Sequence, residues 1–111
     1  MTSIDWPVFE DERGTLVPIE FDSVPFAVER AFFVRISGAR RRGDHVTSCD
    51  ELVVLVDGAV RLWAGSTDPL VLDRVGSSFH ILAGTFLTYE AVDDNATIMV
   101  LAAEKYRGRR L

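Results

Sequence analysis

The dipeptide Asp57-Gly58 constrains the fold most, because it joins two apolar runs with the residue pair that best suits a tight β-turn. The run before it reads ELVVLV, and the run after it reads AVRLWA. In the second run, apolar residues alternate with Arg61 and Trp63, which is the period of a strand with one buried face. The first run is apolar on both faces, which predicts a central strand whose back is covered. Together they predict a β-hairpin.

Further short apolar runs follow the same plan and are separated by Gly, Asp, Asn or Ser. No window shows a convincing helical period. About eight short strands with tight turns and no crossover helices predict an all-β fold, a small antiparallel β-barrel or sandwich in one domain spanning residues 1–111. The additional runs are TLVPIEF, RAFFVRI, PLVLDRV, SSFHIL, TFLTYEAV and ATIMVLAA.

Composition and charge exclude several classes of function. The formal net charge of −5 argues against nucleic acid as a partner, despite the local cluster Arg40-Arg41-Arg42. No apolar run approaches the roughly 20 residues that a membrane helix needs, so we expect no membrane partner. The N-terminal residues lack the pattern of a secretory signal. Cys49 is the only cysteine, which rules out an internal disulfide and fits a cytoplasmic location.

The stretch RRGDHVTSCDELVVLVDGAV carries a spaced motif: His45, one residue, Thr47, three residues, Glu51, six residues, Gly58. It resembles the first cupin motif, in which two His and a Glu converge on one metal inside a barrel. Thr47 stands where the second His is expected, and Leu87 stands where the second cupin motif supplies a further His. His45 and Glu51 alone are too few for a metal site, which normally has three or four protein ligands. We therefore predict no metal and no cofactor.

The wider chain resembles one cupin branch, the dTDP-4-oxo-6-deoxyhexose 3,4-ketoisomerases. The segments that carry this resemblance are DERGTLVPIEF, PFAVERAFFV, RRGDH, VDGAVRL and TIMVLAAEKY. It implies a cupin jelly roll and a metal-independent proton transfer between C3 and C4 of a dTDP-linked keto-sugar. The strand pattern and the many aromatic residues of so small a chain predict a homodimer, because some of those residues would be exposed in a monomer. His45 occupies the first position of the family's His-x-His pair. By resemblance the principal base is the second, so Thr47→His is expected to restore the pair.

Six residues are candidates for the site. His45 is the predicted base, and Glu51 would orient His45 or replace the lost base, provided that burial raises the Glu51 pKa. The alternative for Glu51 is an ion pair at a strand end. The resemblance implies that Arg42 holds the diphosphate, to which a guanidinium is well matched. The other predicted substrate-binding residues are Arg35, Tyr89 and His80, and a core or surface position is the alternative for the last two.

Two other functions stay open at this point. The first is a divergent cupin of natural-product biosynthesis, acting as a cyclase or dehydratase on an apolar substrate. The second is a non-catalytic protein that binds a small molecule or a partner. A polar, arginine-lined interior would favour the nucleotide sugar, and an apolar interior would favour the other substrates.

Overall fold

The computed structural model describes residues 2–38 and 40–106. Within these residues the chain forms eleven β-strands and one short 3₁₀ turn, and it has no α-helix. This confirms the predicted all-β class. The strands are β1 (Thr2–Ile4), β2 (Phe9–Asp11), β3 (Gly14–Leu16), β4 (Arg30–Ser37), β5 (Arg42–Val46), β6 (Glu51–Asp57), β7 (Val60–Ala64), β8 (Leu70–Leu72), β9 (Ser78–Ile81), β10 (Phe86–Ala91) and β11 (Asn95–Ala102).

The described strands form two main antiparallel sheets. The larger sheet has the order β1-β9-β6-β11-β4, and the smaller sheet has the order β5-β10-β7-β8. Strands β2 and β3 pair only with each other, as a separate hairpin. The two sheets face each other, and their inner side chains form the main core.

The predicted hairpin over Asp57-Gly58 is wrong. Strand β6 pairs with β9 and β11, whereas β7 pairs with β10 and β8, so the turn carries the chain from the larger sheet to the smaller one. The turn still needs glycine, because Gly58 has a φ of +77° and a Cβ there would lie 2.5 Å from the Asn95 carbonyl oxygen. The local signal identified a turn correctly, but pairing was decided by which inner faces had to meet.

The apolar back of ELVVLV has the covering that the sequence predicts. Val53 and Leu55 point into the main core, whereas Leu52 and Val54 point outward into a second cluster. The N-terminal segment supplies much of that cluster, and the Trp6 indole donates a hydrogen bond of 2.8 Å to the Ser78 hydroxyl. This segment covers only part of the outer face of the larger sheet.

Three strands were not predicted from the sequence, namely β1, β2 and β5. Conversely, the predicted strand TLVPIEF stops at Leu16, before Pro18, which cannot donate to a strand ladder. The sequence also predicts little order in the first dozen residues, where β1 and β2 form instead, and in the tail from Arg107, which lies outside the described residues. No helix among the described residues is long and apolar enough to cross a membrane.

Candidate functional site

A β-bulge in β5 brings the motif residues Arg42 and His45 to the same side of the smaller sheet. Across the ladder His45 lies opposite Leu87, and Arg42 lies opposite Tyr89, so Asp44 is an extra residue without a place in the register. Leu87 and Tyr89 belong to the inner face, and residues opposite each other in a ladder share a face. Arg42 and His45 are three residues apart, so a regular strand would point them to opposite faces. The bulge allows both of them to face inward.

The bulge depends on the residues between Arg42 and His45. Gly43 has a φ of +90°, and a Cβ there would come within 2.8 Å of the Leu87 carbonyl oxygen. Asp44 also has a positive φ, of 47°, which is unusual for a residue with a side chain. Its carboxylate accepts a hydrogen bond of 2.6 Å from the Thr88 hydroxyl, which stabilises this conformation. The sequence Arg-Gly-Asp-His thus has a geometric function.

Glu51 enters the same space from the larger sheet. It is the first residue of β6, shares its face with the inward residues Val53 and Leu55, and is only 5% exposed. In the adjacent strand it pairs with Ala102, which in turn pairs with Arg30 of β4. Arg30, Ala102 and Glu51 therefore form one inward-facing row at one end of the barrel.

Burial sets the protonation behaviour of Glu51. Desolvation raises the pKa of the Glu51 carboxyl, and attraction to Arg30 and to a protonated His45 opposes that rise without cancelling it. Glu51 makes no close ion pair with any described residue. The sequence-based condition on Glu51, a pKa raised by burial, is met in the structure.

Tyr89 lies between the two charged groups. Its side chain is 3% exposed, and burial raises the pKa of its phenol, with Arg42 acting in the opposite direction and Glu51 adding to the rise. Arg42 also hydrogen-bonds the phenol, and the Arg42 side chain itself is exposed. The phenol is therefore protonated near neutral pH, as an ordinary tyrosine also is, and an arginine lies at the opening of the site.

Thr47, which replaces the expected second His, has a structural function. Its hydroxyl donates to the Leu82 carbonyl oxygen at 3.0 Å and accepts from the Thr85 backbone N–H at 3.1 Å. Its own backbone N–H and carbonyl bond to Thr85 and Gly84. Thr47 is 2% exposed, so the segment between His45 and Glu51 is fixed to the 82–85 turn.

The arrangement offers few ligands for a metal. Within residues 2–38 and 40–106, no group of three or more His, Cys, Asp or Glu side chains is placed to hold a metal ion. Leu87, which stands where a further imidazole was expected, is 1% exposed and lies directly opposite His45 in the ladder.

The structure brings together four of the six predicted site residues, His45, Glu51, Arg42 and Tyr89, and separates the other two. Arg35 is exposed on the outer face of the larger sheet, because it has the opposite parity to the inward residues Val34 and Ile36. His80 lies on the outer side of β9, where its ring contacts Phe26 at 5.6 Å and its Nε2 lies 2.9 Å from the Asp50 carboxylate.

Sequence reasoning missed Arg30 as a member of this group. Arg30 shares the parity of Phe32, Val34 and Ile36, and the last two are buried in the core. The sequence did hold a signal for Arg30, because this arginine falls on the same alternating positions as the apolar residues of one strand face. It was ambiguous, because adjacent Phe32 and Phe33 give both faces of the strand an aromatic residue.

Two facing antiparallel sheets, with charged side chains gathered at one end of an apolar interior, define a β-barrel of the cupin type. The family model described as "FdtA: WxcM-like, C-terminal" matches residues 1–109. The chain therefore belongs to this family. A comparison with curated protein sequences gives no match.

Several solved structures share the fold. A 3,4-ketoisomerase from Helicobacter canadensis is similar with a TM-score of 0.84 and 20% identity, over 96% of this chain and 85% of that one. QdtA, a sugar 3,4-ketoisomerase from Thermoanaerobacterium thermosaccharolyticum in complex with TDP, gives 0.84 and 20%, over 96% and 82%. The epimerase RmlC from Legionella pneumophila, in complex with dTDP-4-keto-L-rhamnose, gives 0.79 and 19%, over 95% and 67%.

Proposed function

We propose that this protein is a sugar-nucleotide 3,4-ketoisomerase that acts on a dTDP-4-oxo-6-deoxyhexose without a metal. The observation that carries the proposal is the convergence of Arg42, His45, Glu51 and Tyr89 at one end of the barrel interior. Family membership and the similar ketoisomerase structures support the same reaction class. A polar, arginine-bearing site favours an anionic nucleotide sugar over the apolar substrates of the alternative cyclase function.

The proposed chemistry is an exchange of protons through an enediol. His45 takes the proton from C3, and the electron pair of the C–H bond forms a C3=C4 double bond while the C4 oxygen becomes negative. That oxygen gains a proton, the C3 hydroxyl loses one, and a proton is added to C4. The product is the 3-oxo isomer, so no oxidant, reductant or leaving group is needed.

Neighbouring groups have complementary tasks in this scheme. Tyr89, whose pKa is raised by burial, is protonated near neutral pH and can donate a proton to a sugar oxygen. Glu51, when ionised, stabilises the positive charge that His45 acquires, since the two groups lie close enough to interact electrostatically. Arg42, exposed at the opening, is placed to bind a diphosphate.

Deuterium exchange tests the reaction directly. In D₂O with dTDP-4-oxo-6-deoxyglucose, we expect the wild-type protein to replace the hydrogen at C3 of the sugar with deuterium, and NMR would follow this exchange.

Arg42→Ala should raise KM more than it lowers kcat, because the diphosphate is held equally in the ground and transition states. Absence of exchange, together with no shift of the melting temperature by dTDP, would refute the nucleotide-sugar function.

We also propose that the protein acts as a homodimer in the cytoplasm. Phe33, on the uncovered part of the larger sheet, is 75% exposed, and the β2–β3 hairpin exposes Phe9 (61%) and Leu16 (60%). A two-stranded hairpin alone is marginally stable in water, so it needs a surface to pack against. Asp11 is already paired with Arg13, but Glu10 and Glu12 of the hairpin complement Arg35 beside Phe33, which favours a second copy of the chain as the partner. A single buried thiol, Cys49, is compatible with the reducing cytoplasm.

Sedimentation velocity tests the dimer. The wild type should sediment as a dimer at micromolar concentration, and Phe33→Glu should give a monomer with an unchanged β-sheet circular dichroism spectrum. Val71→Glu is a matched control, since Val71 is an exposed valine (54%) of the smaller sheet. A monomeric wild type, or a dimer that survives Phe33→Glu, would contradict this interface.

A further inference from the structure

Arg30 is a half-buried cation at the site that the proposed proton transfer does not yet use. It is the first residue of β4 and lies on the inward-facing side of that strand. Among the described residues, its Nε is the one buried side-chain nitrogen or oxygen without a hydrogen-bond partner. Leaving a buried donor unpaired costs stability, and an atom that bears this cost is suited to binding a ligand oxygen.

Aromatic rings hold the guanidinium of Arg30 without neutralising it. Its central carbon lies 5.1 Å from the ring centroid of Phe32 and 5.9 Å from that of Tyr106. Arg30 makes no close ion pair with any described residue. The positive charge is therefore fixed in position and is not cancelled by a neighbouring carboxylate.

The row of residues across the larger sheet directs this charge to the reacting groups. Ala102 separates Arg30 from Glu51 in the ladder, so the two longer side chains flank a small, fully buried residue on the inner face of the sheet. The charge of Arg30 acts on the Glu51 carboxyl, as a protonated His45 does. Arg30 and His45 therefore approach Glu51 from different sheets.

We propose that Arg30 binds the negative oxygen that forms when the sugar loses its C3 proton. This inference rests on the proposed isomerase function. An enediolate oxygen needs a pre-positioned donor with positive charge, and the unpaired N–H of Arg30 supplies both. In the free protein that N–H has no hydrogen-bond partner, and its bond to the substrate oxygen would strengthen as negative charge develops there.

Substitution of Arg30 separates this role from phosphate binding. Arg30→Met keeps much of the side chain's length and removes its charge and donors. We expect the rate of C3 deuterium exchange to fall by about 10²–10³-fold, the usual loss for one oxyanion donor, with dTDP affinity by calorimetry unchanged. Arg61→Met is the matched control, because Arg61 is a strand arginine that points outward and pairs with Glu90, and its exchange rate should equal the wild type.

Chemical rescue distinguishes a reacting group from a structural one. In Arg30→Ala, added methylguanidinium should restore part of the exchange rate, and Arg30→Lys should fold and exchange faster than Arg30→Met. Wild-type rates in Arg30→Met, parallel loss of dTDP affinity, absence of rescue, or unfolding of Arg30→Lys would each overturn the role of Arg30. Absence of exchange in the wild type would instead overturn the proposed function, and this inference with it.

Discussion

The two histidines of this chain lie on opposite sides of the barrel wall, and their surroundings differ. His45 faces the interior beside Glu51, Arg42 and Tyr89, where no close His45–Glu51 ion pair forms. His80 faces outward beneath the N-terminal segment, with Nε2 2.9 Å from the Asp50 carboxylate and its ring against Phe26. Both side chains are partly buried, so burial alone does not separate them.

The outer region around His80 and the interior around His45 differ in how many of their polar groups have hydrogen-bond partners within the protein. On the outside, Asp50 accepts hydrogen bonds from the Ala83 backbone N–H and from His80, and these contacts lower the pKa of its carboxyl. On the inside, Glu51 has a raised pKa and Arg30 has an unpaired donor. A region with unsatisfied charges costs stability and is suited to binding a charged ligand, whereas a satisfied region holds the fold together.

The largest effect should come from removing the imidazole inside the barrel. His45→Asn keeps a hydrogen-bonding side chain but no base, and we expect the C3 exchange rate to fall by about 10²-fold or more. His80→Asn should leave that rate unchanged and lower the melting temperature instead. Calorimetric dTDP titrations and melting curves on both variants complete the test. A rate loss in His80→Asn equal to that in His45→Asn would contradict the division into two regions.

Thr47 should be the next most sensitive position. Thr47→Val removes a hydroxyl that bonds both Leu82 and Thr85, and we expect it to cost about 1–3 kcal/mol in the free energy of unfolding. The structure also changes the expectation for Thr47→His: the residue is 2% exposed and its bonds fix the 82–85 turn, so a loss of stability should come first. Urea unfolding measures the stability of both variants. A Thr47→His protein that is as stable as wild type and exchanges the C3 hydrogen faster would restore the simple His-x-His interpretation.

The sequence predicted the fold class from local signals that report directly on the backbone. Alternation in AVRLWA and the two apolar faces of ELVVLV both match the structure, because side-chain periodicity follows from strand geometry alone. The hairpin failed because Asp57-Gly58 specifies a turn and not the partner of the strands that it joins. Strand pairing depends on long-range packing, which a dipeptide does not encode.

The site was predictable only in part, for similar reasons. Spacing pointed to His45 and Glu51, but their convergence needs the bulge at Gly43 and Asp44, which shifts the parity of β5. His80 and Tyr89 were equivalent as sequence candidates, and only the ladder registers place one outside and the other inside. Arg35 was predicted as a site residue in place of Arg30. Alternation along β4 puts the two arginines on opposite faces, but it does not show which face points inward.

The hydrogen bonds that Asp50 accepts on the outside should give a smaller, pH-dependent effect. Asp50 has a folded pKa below its ordinary value of 3.8, so its contribution is present above that pH and is lost as the pH falls through the folded pKa. We expect Asp50→Asn to cost about 1 kcal/mol in the free energy of unfolding at pH 7. The difference from wild type should shrink in strong acid, as urea unfolding at several pH values would show. A cost that is the same at every pH would contradict the electrostatic origin.

The smallest effect should be a gain in stability at the site itself. The folded pKa of Glu51 lies above its ordinary value of 4.5, so the native state holds this proton more tightly than the unfolded chain does. Stability therefore falls as the pH rises from about 4.5 through the folded pKa, and the penalty is then constant. Glu51→Gln removes this penalty, so the variant should melt at a higher temperature than wild type at pH 8, with the difference vanishing near pH 4.

The same variant should exchange C3 hydrogen more slowly, because His45 loses the carboxylate that stabilises its protonated form. If Glu51→Gln melts lower than wild type at pH 8, attraction to Arg30 and His45 outweighs desolvation, and the interior is as well satisfied as the exterior.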